Sequence, residues 1–176
     1  MVALDVMTLG HTWEGTDPVL LERGVTVAAS ILREAFEARA AIGLISNGAL
    51  PQADRAVRLG AGRRPDQLAR VLEALAGTNP FAMAPLSAEL ERPGEALSLG
   101  ATLVVVAAMM PPDLAATLTR LRGQGHVVHA VNTSRPWEQS LGPIPVTEIA
   151  PFAEALEARV EAEADYAPSR ALEVLR

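Results

Sequence analysis

Two apolar runs separated by an amphipathic run form the clearest pattern in the chain, between residues 100 and 132. The first apolar run, 100–108, is rich in β-branched residues, and the second is 126–132. The periodic run between them, 114–122, follows two prolines and ends at a glycine. This succession predicts one β-α-β unit. Because such units build parallel sheets, we expect ligands beyond the carboxyl ends of the strands.

The same periodicities, with proline and glycine signals, predict the other elements. Asp17-Pro18 supplies an N-cap and a proline at the first helical position, so a long helix is expected to begin there. Asn47-Gly48 is a turn dipeptide and is expected to end the second strand. In chain order, the further predictions are strands at 2–7 and 41–46, at most a short edge strand around Val57, helices from Pro65 and at 86–90, a last strand at 144–149, and an acidic amphipathic helix at 151–168.

These elements predict an α/β fold of three layers, α/β/α, with a mostly parallel open sheet of Rossmann-like type. At 176 residues the chain is expected to hold one α/β domain over residues 1–150. Residues 151–176 are expected to form an amphipathic helix that packs on this domain or extends from it. No apolar run reaches the roughly 20 residues of a membrane span, and Asp5 interrupts the first apolar run, so a soluble, cytoplasmic domain without a secretory signal is expected.

The amino-acid composition argues against several classes of function. A net charge of −6 and an aromatic content of 3% argue against nucleic-acid binding, which needs cationic surface and stacking side chains. Cysteine is absent, so disulfides and thiolate sites are excluded. Every cation is an arginine, which excludes Schiff-base lysines and the lysine of phosphate-binding loops.

A glycine-rich stretch, 60–64, ends with Arg63 and Arg64 and precedes a predicted helix. Free N–H groups and cations could hold a phosphate there, which would suit an enzyme acting on a phosphorylated small molecule. The stretch does not follow a strong buried strand, however, and a short glycine motif is a weak signal. We favour a solvated turn.

No catalytic group emerges from the remaining candidates. His126 and His129 are three apart on a strand and point to opposite faces, so they cannot chelate one ion and are expected to be packed or surface residues. His11 lies in the first strand-end loop without a recognisable partner. No serine stands in a Gly-x-Ser-x-Gly elbow. We therefore expect no enzyme activity.

Met109 and Met110 stand where a parallel-sheet enzyme usually places a polar group. Two interpretations are equally supported. Soft apolar side chains at this rim suit adaptable protein contacts, or both methionines cover the sheet inside the core.

Six segments of the chain carry a family resemblance. They are residues 2–6, 13–15, 20–32, 42–48, 67–76 and 100–106. In this order they resemble the C-terminal half of the bacterial family called domain of unknown function 58, a half that is similar to a von Willebrand factor type A domain. The resemblance covers residues 2–132 and implies a von Willebrand factor type A-like fold. It also implies membrane helices upstream in full members, so the chain could be the soluble part of a membrane-anchored protein.

The resemblance implies a Mg²⁺ site built from an Asp-x-Ser-x-Ser loop, a threonine and a second aspartate. Asp5 matches the first acid, Thr8 is the only nearby hydroxyl, and Thr78 could stand for the threonine. Ala107 and Ala108 occupy the place of the second acid. Because Mg²⁺ needs nearly octahedral oxygen coordination, these remnants leave too few ligands, and no metal or other cofactor is expected.

The sequence therefore predicts a non-catalytic protein-protein interaction module with a degenerate metal site. The resemblance implies a MoxR-type AAA+ ATPase as its partner. A Mg²⁺-dependent adhesion-type domain and the phosphate-binding enzyme remain alternatives. The expected interaction rim consists of Thr8, His11, Trp13, Asn79, Met109, Met110 and Asp113.

Overall fold

A six-stranded sheet lies between two layers of helices. The computed structural model describes residues 1–10, 14–50, 53, 55–92 and 97–149. The elements, in chain order, are β1 (Val2–Leu4), α1 (Pro18–Glu37), β2 (Ile42–Ala49), β3 (Ala56–Gly62), α2 (Gln67–Ala76), α3 (Leu86–Leu90), β4 (Thr102–Ala107), α4 (Pro112–Gly123), β5 (Val127–Asn132) and β6 (Val146–Glu148).

The strand order is β3-β2-β1-β4-β5-β6, as in doubly wound sheets. All neighbours pair in parallel except β3, which runs antiparallel to β2 at one edge. The predicted three-layer α/β fold and the β-α-β unit formed by β4, α4 and β5 are confirmed. The predicted short edge strand around Val57 is a full strand of seven residues, and β1 is shorter than predicted.

Side-chain alternation along the strands separates two apolar cores. On one face, α1 and α2 contribute Leu32 and Val71 to a core with Val106. On the other face, α3 and α4 contribute Leu86 and Leu118 to a core with Val105. Since successive strand residues point to opposite faces, the continuous valine run of β4 supplies both cores, which explains why it carries no polar alternation.

The start of α1 agrees with the sequence prediction. Asp17 lies in an extended conformation as the N-cap, and its Oδ1 accepts hydrogen bonds from the backbone N–H groups of Val19 and Leu20. Pro18 needs no hydrogen-bond partner at the first helical position. The cap therefore fixes where α1 leaves the loop that follows β1.

The predicted turn at Asn47-Gly48 is wrong, because β2 continues through both residues to Ala49. The Asn47 amide is buried and hydrogen-bonded to the segment after β1. Gly48 lies against another part of the chain, and a Cβ there would be 2.5 Å from the Asn79 carbonyl oxygen. Tertiary contacts thus override the local turn preference, and a register shift between Ser46 and Ala49 accommodates the strand end.

The amphipathic helix predicted over 151–176 lies outside the described residues. The predicted division into a domain over 1–150 and this helix therefore stays a prediction. Within the described ranges, every helix is too short or too polar to cross a membrane.

Replacing Gly48 with alanine should lower the free energy of unfolding by at least about 2 kcal/mol, because the added Cβ collides with the backbone near Asn79. Gly60 is the matched control, since it also lies in a strand but a Cβ there meets nothing within 4 Å. Gly60→Ala should stay within about 0.5 kcal/mol of the parent or become slightly more stable. Urea unfolding of both variants measures the difference, and equal stabilities would contradict the close approach at Gly48.

Candidate functional site

A crevice of about 920 Å³ opens beyond the carboxyl ends of the strands. It lies beside the point where the strand order reverses, between β1 and β4, which is where open α/β sheets bind their ligands. Thr8, from the loop after β1, and Asp17, at the start of α1, form part of its wall. Met109, Met110 and the 134–139 loop also line it, with Trp137 half-buried and Arg135 exposed. The topology therefore provides a recess at this end, whatever chemistry it holds.

Asp5 follows β1 and is only 5% exposed. Its Oδ1 accepts hydrogen bonds from the Met7 backbone N–H at 2.9 Å and the Asn47 side-chain amide at 2.8 Å. Burial raises the pKa of Asp5 to about 6, with a further upward contribution from the negative charge of Asp113, while the two hydrogen bonds act in the opposite direction. The carboxyl group is therefore held in a structural network at the base of the loop.

The two threonines that the sequence associates with a metal site are occupied by backbone contacts. Thr8 is buried, and its Oγ1 accepts a hydrogen bond from the Asp17 backbone N–H at 2.7 Å. The Thr78 Oγ1 donates to the Ala74 carbonyl oxygen at 2.7 Å, one turn earlier in the chain. Both hydroxyls thus stabilise the entry or exit of a helix.

The end of β4 presents backbone rather than side-chain oxygens. Ala107 and Ala108 are buried, as expected from the sequence, and offer no carboxylate. The Ala108 carbonyl accepts hydrogen bonds from the Ser134 hydroxyl and, at 3.0 Å, from the Trp137 indole N–H. These bonds fasten the 134–137 loop over the end of β4.

These side chains do not fit a Mg²⁺ site. Asp5 is the only carboxylate of the predicted set, and its Oδ1 already accepts two hydrogen bonds. Asp113, whose negative charge contributes to the raised pKa of Asp5, is exposed and accepts a hydrogen bond from the Ser87 hydroxyl. Across the described part of the chain, no three His, Asp or Glu side chains come together as a potential metal cluster. The oxygen-rich octahedral shell that Mg²⁺ prefers is not assembled here.

The expected interaction rim is only partly assembled. Met110 is 7% exposed and packs in the core beneath α4, and it also lines the crevice, so its role in the rim stays a prediction. Met109 is half-buried and lines the crevice. Asn79 is half-buried, and its side chain caps the Phe81 backbone N–H at 2.9 Å. His11 and Trp13 lie outside the described residues.

Three exposed apolar residues at this end were not predicted from the sequence. Phe81 is 64% exposed, Met83 is 52% exposed and Val19, in the first turn of α1, is 56% exposed. The Met83 backbone N–H bonds to the Asn47 carbonyl at 2.8 Å, and the Thr16 hydroxyl bonds to the Pro80 carbonyl at 3.1 Å. These bonds hold the 79–83 segment beside the loop that enters α1. We call the strand-end face the surface formed by Val19, Phe81, Met83, Met109, Arg135 and Trp137.

The sequence predicts a solvated turn at the glycine-rich stretch 60–64. This prediction is wrong for residues 60–62, because they belong to β3. The Gln67 amide donates to the Ile42 and Gly60 carbonyls at 2.9 Å and fills the space beside Gly62. Arg64 is paired with Asp66 on the surface. Since β3 is antiparallel, this stretch ends at the opposite end of the sheet from the crevice.

Two of the histidines, His126 and His129, lie in the described part of the chain, just before and within β5. His126 is buried just before β5, and the His129 Nε2 lies 2.8 Å from the Thr147 hydroxyl on the neighbouring strand. This agrees with the expectation that they are packed or surface residues.

Comparisons with known proteins give no family. No protein-family model matches the sequence, and no curated protein matches it significantly. A crystal structure of an aerotolerance-related membrane protein from Bacteroides fragilis NCTC 9343, with multiple mutations to serines, is similar at 14% sequence identity and a TM-score of 0.47, covering 90% of this chain and 94% of that chain. A likeness of this extent assigns neither a family nor a function, and the α/β assignment comes from the sheet and helices themselves.

Replacing Asp5 with asparagine should change the pH dependence of stability. The pKa of Asp5 in the folded chain, about 6, lies above that of an unfolded aspartate, so the folded state holds the proton more tightly. The contribution of Asp5 to the free energy of unfolding of the parent chain therefore falls as pH rises through 4 to 7. The free energy of unfolding of Asp5→Asn minus that of the parent should increase over this range by at most about 3 kcal/mol.

The matched control is Asp66→Asn. The hydrogen bond from Arg64 lowers the pKa of this exposed carboxyl. The free energy of unfolding of Asp66→Asn minus that of the parent should therefore decrease as pH rises. Urea unfolding between pH 4 and pH 8 provides the measurement. A pH-independent difference for Asp5→Asn would contradict the raised pKa.

The donor set also predicts the response to divalent ions. Titration with millimolar Mg²⁺ or Mn²⁺ should give no binding heat in calorimetry and no shift in melting temperature, because the described side chains around Asp5 supply too few oxygen ligands for an octahedral shell. A saturable heat that disappears in Asp5→Asn would show that the network rearranges to bind metal and would support the adhesion-type alternative.

Proposed function

We propose that the chain is a non-catalytic protein-interaction module that binds its partner through the strand-end face. One observation carries the proposal. At the end of the sheet where α/β enzymes keep reactive groups, Asp5, Thr8 and Ser134 hold backbone in place. Val19, Phe81 and Met83 are exposed to solvent at the same end.

The chemistry of the face suits a protein partner. Phe81 and Met83 are large apolar side chains more than half exposed, and aromatic residues and methionine are enriched in protein interfaces. The adjoining crevice, with Trp137 and Met109 on its wall, can accept a protruding side chain of the partner. The exposed Arg135 on the same wall can pair with an acidic group, as arginine often does at interface rims.

The finer proposal is a partner of the MoxR-type AAA+ ATPase class. It rests on the sequence resemblance alone, since neither the crevice nor the exposed apolar residues distinguish one protein partner from another. Binding by the purified ATPase of the same organism is therefore the direct test.

The double variant Phe81→Ser, Met83→Ser should weaken partner binding by at least tenfold, which corresponds to about 1.4 kcal/mol of binding free energy. Surface plasmon resonance with the purified ATPase gives the dissociation constant. Because both side chains are exposed, the melting temperature should stay close to that of the parent.

Leu99→Ser is the control. Leu99 is 95% exposed in the turn before β4, at the other end of the sheet, so its replacement removes exposed apolar surface without touching the strand-end face. Binding should be unchanged. Equal weakening by both variants would indicate non-specific hydrophobic association, and unchanged binding in the double variant would remove the strand-end face as the docking surface.

A further inference from the structure

The methionines of the chain gather at the carboxyl end of the sheet. Met7 follows β1, Met109 and Met110 follow β4, and Met83 lies beside the last residues of β2. The fifth methionine, Met1, precedes β1 at the other end of the sheet and packs against the core beneath α3 and α4. The chain contains no cysteine. Its sulfur atoms are therefore concentrated at the end of the sheet that carries the strand-end face.

The four methionines at this end differ in exposure. Met83 is 52% exposed, Met7 and Met109 are half-buried, and Met110 is only 7% exposed. Oxidation of a methionine follows the accessibility of its sulfur, so Met83 ranks first as a target and Met110 ranks last. Because Met110 packs in the core beneath α4, this ranking separates a target on the surface from one whose oxidation would disrupt the core.

The backbone around Met83 is held without help from its side chain. The Met83 N–H bonds to the Asn47 carbonyl at 2.8 Å, and the Asn79 N–H bonds to the Ala49 carbonyl at 2.7 Å. Between them, Ala82 pairs with Gly48 in an antiparallel bridge. These contacts are made by backbone groups, so a chemical change at the Met83 sulfur leaves the 79–83 segment in place.

We propose that Met83 is an oxidation site at which hydrogen peroxide, or another two-electron oxidant of the peroxide class, switches off docking at the strand-end face. The proposal rests on the function proposed above for this face. The thioether sulfur attacks one oxygen of the peroxide, an S–O bond forms and the O–O bond breaks. The proton on the transferred oxygen passes to the leaving oxygen, which departs as water. Sulfur loses two electrons, the peroxide gains them, and the product is methionine sulfoxide.

The sulfoxide changes the chemistry of the docking surface. Met83 lies two positions from Phe81, and both side chains are more than half exposed, so they offer a partner neighbouring apolar surface. Oxidation adds a polar oxygen that accepts hydrogen bonds. When an apolar partner surface covers this oxygen, it loses its bonds to water without replacement, which disfavours binding. Methionine sulfoxide reductases reverse the reaction, so the change is a switch and not permanent damage.

The first test measures oxidation without any partner. The full chain is exposed to hydrogen peroxide, and peptide mass spectrometry follows each methionine with time. Met83 sulfoxide should form at least tenfold faster than Met110 sulfoxide, with Met7 and Met109 between them. The melting temperature should stay within about 2 °C of the parent while Met110 is intact. Equal rates at all four positions, or slower oxidation of Met83 than of Met109, would overturn the proposal.

The second test measures binding to the purified ATPase by surface plasmon resonance. Oxidation of the parent at Met83 should raise the dissociation constant at least tenfold. Met83→Leu keeps an apolar side chain of similar volume that peroxide does not oxidise. Its dissociation constant should lie within about twofold of the parent value before exposure and stay there afterwards. Full binding by the oxidised parent would overturn the switch.

The matched control moves the exposed thioether to the other end of the sheet. Leu99 is 95% exposed, so Leu99→Met combined with Met83→Leu supplies an accessible methionine away from the strand-end face. Peroxide should oxidise position 99 rapidly and leave binding unchanged. Loss of binding in this variant would assign the effect to oxidation elsewhere and overturn the role of Met83.

The switch and the docking surface fail in different ways. If Phe81→Ser, Met83→Ser weakens binding but oxidation of Met83 does not, the face stands and the switch is wrong. If the parent does not bind the ATPase, retention of the native chain on a phenyl column replaces the binding measurement. Retention of the parent should then fall after peroxide, whereas retention of Met83→Leu should not. Equal changes in both would overturn the proposal.

Discussion

The buried contact between Asn47 and Asp5 determines how the carboxyl end of the sheet is built. Pairing of β1 with β2 ends at Leu4 and Ser46, and beyond it the Asn47 side chain takes over from the backbone. Its amide donates to the Asp5 Oδ1, and its Oδ1 accepts from the Val6 backbone N–H at 2.9 Å. One side chain thus satisfies groups on a segment that has left the sheet, where unpaired polar groups would be costly. The loop that runs to Thr8 and the start of α1 begins from this fixed point.

The same contact limits the chemistry of the site. A carboxylate is a useful ligand or base when its oxygens face a substrate, but the Asp5 Oδ1 is directed into its own loop and burial raises the pKa of the group. Thr8 and Ser134 are likewise committed to the backbone groups that they hold. The doubly wound topology therefore retains its recess at the reversal of strand order. Asp5, Thr8 and Ser134, which shape the recess, are hydrogen-bonded to the backbone around it. What remains for recognition is the shape of the recess, the apolar side chains around it and the exposed Arg135 on its wall.

The sequence was sufficient where local pattern and tertiary environment agree. The β-α-β unit is predictable because the valines of β4 are buried on both faces and Pro112 opens α4. At Asn47 the local pattern and the tertiary environment disagree. The Asn-Gly dipeptide favours a turn, whereas the Asn47 side chain is hydrogen-bonded to Asp5, 42 positions earlier in the chain. The burial of Met110 could not be deduced, because an apolar residue after a strand suits a rim and a core equally. Phe81 and Met83 follow no helical or strand period, so no pattern marks them as exposed.

Exposed apolar residues differ in meaning according to what surrounds them. Leu99 is more exposed than Phe81, yet it lies in a turn at the amino end of β4, at the opposite end of the sheet from the crevice. Phe81 belongs to a segment tied by backbone hydrogen bonds to the end of β2, beside the crevice. A side chain on a fixed backbone loses less conformational freedom when a partner covers it, so the same apolar area yields more binding free energy. The proposed docking role of Phe81 and Met83 therefore rests on their anchored backbone at the strand ends as well as on their exposure.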